Sequence, residues 1–163
     1  MVVATATSHR GVRLLVVDDI ERVIAIDRSH SGHTRRRFFE KNFAAAKARP
    51  DEYIHVGVMR GGSLRGFAIV RILRGEFGRE DAVAVLDAVG VEMESQERGV
   101  GQALMEELAD IMRRKGVRSL QSQSDWTHHD ILRFFAASGF QLAPRLALER
   151  SIAELLDEAS EEV

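Results

Sequence analysis

The run from Ala82 to Val91 constrains this chain most. It is apolar except for Asp87 and the small Gly90, with valine at positions 83, 85, 89 and 91. That pattern predicts a central strand buried on both faces. Immediately beyond it, Val100, Ala103, Leu104, Leu108, Ile111 and Met112 recur at helical spacing over Gly99 to Lys115. Gly116 ends that helix, and Val117 to Gln123 reads as the next strand. Strand, glycine-rich turn, helix and strand therefore form one βαβ crossover.

Around this crossover the elements are shorter. Val12 to Val17 reads as a first strand. Asp18 and Asp19 offer an N-cap for a helix to about Arg28. Thr34 is the expected cap of a second helix through about Ala48, stopped by Pro50. Ile54 to Arg60 and Leu64 to Leu73 flank Gly61-Gly62, a strong hairpin signal. Asp130 to Ser138 reads as a short helix, Phe140 to Leu142 and Leu146 to Arg150 as closing strands, and Ser151 as the cap of a last acidic helix. No repeat or linker marks a boundary, so 1–163 is expected to be a single domain with an acidic tail at 151–163. The expected fold is α/β (α+β): a mixed, mostly antiparallel twisted sheet of about seven strands with helices on both faces.

Composition narrows the function. The chain has no cysteine, so disulfides, thiolate nucleophiles and cysteine-based zinc sites fall away, and a cytoplasmic setting is expected. Its formal net charge of −2 gives nucleic-acid binding no support. No apolar run approaches the roughly 18 residues of a membrane span. Residues 1–49 hold ten Lys/Arg against five acids; that basic front is either a solvated face or an attractor for an anion.

Gln96-Glu97-Arg98-Gly99-Val100-Gly101 lies between the buried strand and the strongest helix. The first turn of a helix carries unpaired N–H groups and partial positive charge. Glycines there let a phosphate approach the backbone. Read from spacing alone, the two glycines serve a plain strand-to-helix turn equally well. A P-loop would need Lys and Ser/Thr after the second glycine, where Gln102-Ala103 stands. A dinucleotide fingerprint would need a third glycine where Leu104 stands.

Gln96-x-x-Gly99-x-Gly101 resembles the Q/R-x-x-G-x-G/A signature of the GNAT superfamily of N-acetyltransferases. The strand end and acidic loop Val89-Gly90-Val91-Glu92-Met93-Glu94-Ser95 are similar to that family, as is Phe134-Phe135-Ala136-Ala137-Ser138-Gly139-Phe140. The match is strong over 82–142 and topological before it. The resemblance implies acetyl-coenzyme A (acetyl-CoA) as co-substrate and an amine acceptor. Gln96 and the main chain of Arg98, Gly99, Val100, Gly101, Gln102 and Ala103 would hold the CoA pyrophosphate. Val89 and Val91 would pair with the pantetheine arm as with an added strand. His128 stands where the family often has a pantetheine-touching Asn, and Phe134 and Phe135 fall on the cofactor helix; taken alone, His128 is a helix-start or loop residue.

The resemblance also makes Asp87, four residues before Val91, the candidate general base, as a carboxylate at this offset is in polyamine-type members of that family, with Glu92 the alternative. An alkyl ammonium of pKa about 10.4 must lose a proton before it attacks a thioester. Burial would raise the Asp87 pKa; the structural alternative is a buried Asp bonded to backbone or to an Arg. Phe135 occupies the place where the family commonly has a Tyr acid. Expelling a thiolate of pKa about 8.5 unprotonated at pH 7 costs only about 2 kcal/mol. In the architecture the resemblance implies, the loop after Gln123 borders the acceptor, so Asp125 and Trp126 are candidate acceptor contacts, with core packing the alternative for Trp126; His33 is a further candidate, with a solvated helix face the alternative. No His/carboxylate spacing argues for a metal. Homodimerisation, common in that superfamily, would draw on the last strands and Ile152-Leu155-Leu156. The competing function is a non-catalytic acyl-CoA-binding sensor.

Overall fold

The computed structural model describes residues 10–96 and 99–152. The chain divides into two compact units, Met1–Thr127 and His128–Val163. The first contains β1 (Val12–Leu14), α1 (Ile20–Ser31), α2 (Arg36–Ala48), β2 (Tyr53–Arg60), β3 (Ser63–Leu73), β4 (Val83–Val91), α3 (Val100–Arg114) and β5 (Leu120–Gln121). The second contains α4 (His129–Ala137).

The sheet order is β1-β2-β3-β4-β5. The first four strands pair antiparallel and β5 joins β4 in parallel, so the sheet is mixed, as expected. Gly61 and Gly62 both adopt positive φ, 56° and 77°, which closes the two-residue β2–β3 turn in the hand that matches strand twist. Neighbouring residues of β3 send their side chains to opposite faces. Phe67 meets Phe39 of α2 with ring centroids 5.7 Å apart. On the other face, a Cβ at Gly66 would lie 2.6 Å from Val100 Cγ1, so glycine there is what lets α3 sit down on the sheet. Helices thus cover both faces.

The α3 stripe of Val100, Ala103, Leu104, Leu108 and Met112 is buried; each large side chain so removed from water contributes about 2 kcal/mol. Under α1 and α2 the core joins Val23, Ile26, Phe39 and Phe43 to Phe67, Ile69 and Ala88. β4 is not equally buried on both faces: Val85, Asp87 and Val89 stay partly open.

The structure corrects several boundaries. α1 runs on to Ser31 and ends at Gly32 in the left-handed conformation. Thr34 does not cap α2. Arg35 turns its guanidinium back onto buried Asp27 and leaves the helix to begin at Arg36. The sheet has five strands among the described residues instead of about seven. β5 is only two residues long. Neither 140–142 nor 146–150 forms a strand: the Phe140 N–H donates to the Phe135 carbonyl at 2.9 Å to close α4, and the Arg145 N–H donates to the Ala143 carbonyl at 2.7 Å across Pro144. Alternating side chains do not make a strand unless the backbone finds a ladder partner. The proposed acidic helix, with Leu155 and Leu156, lies outside the described residues.

Candidate active site

The site is organised by what β4 lacks. β5 pairs with it only at Ala84 and Val85. Ser122 Oγ then donates to the Leu86 carbonyl at 3.0 Å, and beyond that no described strand covers the edge of β4 through Val91. That edge runs into the α3 N-terminus. Gly99 caps the helix with φ 73°, a conformation that favours glycine, and a Cβ there would meet nothing within 4 Å. The described residues therefore leave open space at the Gly99 Cβ position. The Ala103 N–H donates to the Gly99 carbonyl at 3.0 Å and is spent inside the helix, contrary to its expected part in a phosphate cradle. Val100, Gly101 and Gln102 keep N–H groups that helix geometry leaves without an intrahelical acceptor. A pyrophosphate fits this donor set and this open space. Gln96 is exposed just before it; Arg98 lies outside the described residues.

Two groups absent from the sequence reading already engage the end of the strand. His30 Nε2 meets the Val91 carbonyl, and the Glu92 N–H donates to the Arg65 carbonyl at 2.8 Å. Val91 therefore brings less free backbone to an incoming arm than Val89. Glu92 itself is clamped by Arg65 and Arg22. The hydrogen bond from Arg65, joined by that from Arg22, holds its carboxyl below the usual range, so Glu92 is a poor proton acceptor.

Asp87 occupies a bulge. Ile69 faces Ala88 and Val70 faces Leu86, so Asp87 is the extra residue in β4. Its carboxylate is gripped by Arg71 of β3 through Nε and Nη2, the latter at 2.8 Å. Asp87 is thus a carboxylate paired with an Arg. The pair lines a cleft of about 300 Å³ with Tyr53 of β2 and Phe38, Lys41 and Asn42 of α2. Behind it, His55 is 7 % exposed and its Nε2 has no partner. Burial pushes His55 down to about 4, against the raising effect of the Asp87 charge; the ring is neutral at pH 7.

The other candidates scatter. His33 follows Gly32 in an exposed turn, its N–H bonded to Ser31 Oγ at 3.2 Å. Arg35 and Arg36 are committed to Asp27 and Glu21, so these two cations of the basic front are neutralised locally. Asp125 Oδ1 accepts from the Thr127 N–H and hydroxyl at 3.2 and 3.1 Å. Trp126 is 84 % exposed, which removes the core-packing alternative. In the second unit His128 precedes α4 without a side-chain cap bond. Phe135 stacks at 5.8 Å from Phe134 and 4.8 Å from Phe140. Among the described residues no group of three His, Cys, Asp or Glu could hold a metal, and no helix is long and apolar enough to cross a membrane.

A model of the acetyltransferase (GNAT) family matches residues 18–140. No curated protein matches the sequence. Solved structures share the fold at low identity. A transcriptional regulator from Bacillus halodurans C-125 superposes with a TM-score of 0.71 at 17% identity, over 86% of this chain and 98% of its own. The aminoglycoside N-acetyltransferase AAC(6')-Iy, solved with the bisubstrate analogue CoA-S-monomethyl-acetylneamine, gives 0.68 at 21% over 88% and 99%. A ribosomal-protein-alanine N-acetyltransferase from Brucella melitensis biovar Abortus 2308 gives 0.69 at 17% over 86% and 99%. The family match spans most of the chain and takes in the open strand edge, the glycine-capped helix start and Asp87: this protein belongs to the GNAT acetyltransferase family and is an N-acetyltransferase.

Proposed function

We propose that this enzyme moves the acetyl group of acetyl-CoA to a primary amine by direct attack, with no covalent enzyme intermediate. The observation that carries the reading is the bare edge of β4, leading straight to the Gly99-capped start of α3. A pantetheine arm supplies the missing strand partner beyond Val85, and the unpaired amides of Val100, Gly101 and Gln102 take the pyrophosphate. The thioester then lies along β4 near Asp87. The amine nitrogen attacks the thioester carbonyl, the C–S bond breaks, and CoA leaves as the thiolate. Arg71 uses one lone pair on each Asp87 oxygen, and a carboxylate has about four sites, so Asp87 keeps acceptor capacity for the ammonium proton. Glu92, held by two arginines, is the weaker candidate.

The absence of cysteine supports direct attack over a thiol relay and is compatible with a cytoplasmic enzyme. The acyltransferase domain is read as 1–163, and as a homodimer, which light scattering of the full chain tests. The acceptor region is read at Asp125, Trp126 and His33, the cofactor helix at His128, Phe134 and Phe135. Phe135, in place of the family's usual Tyr, favours a second reading: an acyl-CoA-binding sensor without turnover. CoA release from acetyl-CoA across a panel of amines, wild type against Asp87→Asn, separates the two. Turnover lost in the variant supports the enzyme with this base. Binding of acetyl-CoA without turnover for any amine supports the sensor.

A further inference from the structure

We infer that the acceptor is an amine that also carries a carboxylate, and that Arg71 and Lys41 recognise that carboxylate in the cleft between α2 and the sheet. The inference rests on the acetyl-transfer reading and adds the acceptor's chemical class to it.

A guanidinium has two edges that can each meet a carboxylate with parallel N–H bonds. Asp87 occupies the Nε/Nη2 edge of Arg71. The Nη1/Nη2 edge has no acceptor among the described residues, and Arg71 lines the cleft with its side chain 39% exposed. Lys41 lines the same cleft from α2, and no described carboxylate pairs with it. The nearby cation Arg49 is balanced by Glu52 at 2.8 Å. The lining of the cleft therefore holds one anion matched to one cation, plus an unmatched ammonium and an unused fork, with Glu76 outside the lining adding a weaker charge on Arg71. An anionic group of two oxygens in a plane fills that vacancy; a plain polyamine would instead meet Lys41 with like charge.

Register gives the orientation. Arg71 pairs with Val85, whereas the cofactor loop follows Val91. Asp87 lies between them. A ligand with its amine at Asp87 and its carboxylate at the free Arg71 edge points the amine toward the thioester and the carboxylate away from the CoA phosphates. Each ligand charge then faces its opposite, and the phosphates do not repel the acid.

The test uses matched pairs, an amino acid and its decarboxylated amine: phenylalanine with 2-phenylethylamine, lysine with cadaverine. CoA release is measured at saturating acetyl-CoA, and binding is measured by calorimetry with CoA present. The carboxylate member is expected to be favoured about tenfold or more in kcat/KM and in Kd. Arg71→Lys, which keeps the charge but removes the second fork, should reduce the preference to about threefold or less, through KM. Lys41→Ala, on the exposed surface of α2, should weaken it by a smaller factor and carries the test if Arg71→Lys does not fold. Equal or better binding of the decarboxylated members overturns the inference, as does a preference that survives both substitutions, or no binding by either member of any pair. Turnover of amines without carboxylate preference defeats this inference and leaves acetyl transfer standing. Carboxylate-dependent binding without turnover does the reverse.

Discussion

The two faces of this sheet are built to different ends. Beneath α3 the contacts are apolar throughout: Val100, Leu104 and Leu108 are fully buried, and Gly66 lets the helix approach closely. Beneath α1 and α2 the packing starts the same way, with Phe39 against Phe67. It then gives way to Tyr53, His55, Arg71 and Asp87 at the far end. A polar group buried there costs free energy unless it is paired. Arg71 and Asp87 offset that cost for each other. His55 Nε2 stays unpaired. One face is apolar core, and the other gives up part of its core to polar side chains.

The sharpest way to break that contrast is at Asp87. Asp87→Asn keeps the shape and removes the proposed base; kcat should fall by about 10²–10⁴ with little change in the Kd of acetyl-CoA. A full-rate variant would move the base elsewhere. Leu104→Ala does the converse on the α3 face. It should cost about 3 kcal/mol in denaturant unfolding, through lost burial and the cavity left behind, while activity per folded molecule holds.

Next is His55. Its folded value of about 4 lies below the ordinary 6.5, so the unfolded chain takes up the proton first. The stability due to its neutral form is complete above pH 6.5 and is lost as pH falls toward 4. The loss should approach about 3 kcal/mol, and His55→Phe should flatten that part of the pH–stability profile. An unchanged acid limb in the variant would mean that His55 is not the group responsible. Smallest is Gly99→Ala. The left-handed φ, with open space around it, predicts a strain cost of about 1 kcal/mol with no steric clash. Thermal unfolding and acetyl-CoA titration together tell strain from a blocked phosphate site, since only the latter weakens binding more than stability.

Much of this was legible in the sequence because it is local. The apolar period of α3 sets its buried stripe within one helix. Gly61-Gly62 specifies its own turn. The Q-x-x-G-x-G resemblance led to the helix start that the structure presents as open. What misled were segments whose fate depends on a partner. Residues 140–142 and 146–150 read as strands but have no ladder. Arg35 is drawn out of the expected helix start by a buried Asp eight residues earlier. Asp87 was visible as an oddity in an apolar strand, but its partner was not.

That last distinction is the general one here. Side-chain periodicity, turn glycines and the charge of a single residue act over a few positions, so the chain's order alone determined the helices, the hairpin and the candidate cofactor loop. The bulge that sets Asp87 apart, the Arg71 fork that grips it, the edge left without a strand partner past Val85 and the cleft with Lys41 all require strands and a helix far apart in the chain to meet in one register. Only tertiary packing, which brings residues 41, 53, 71 and 87 together, decided those.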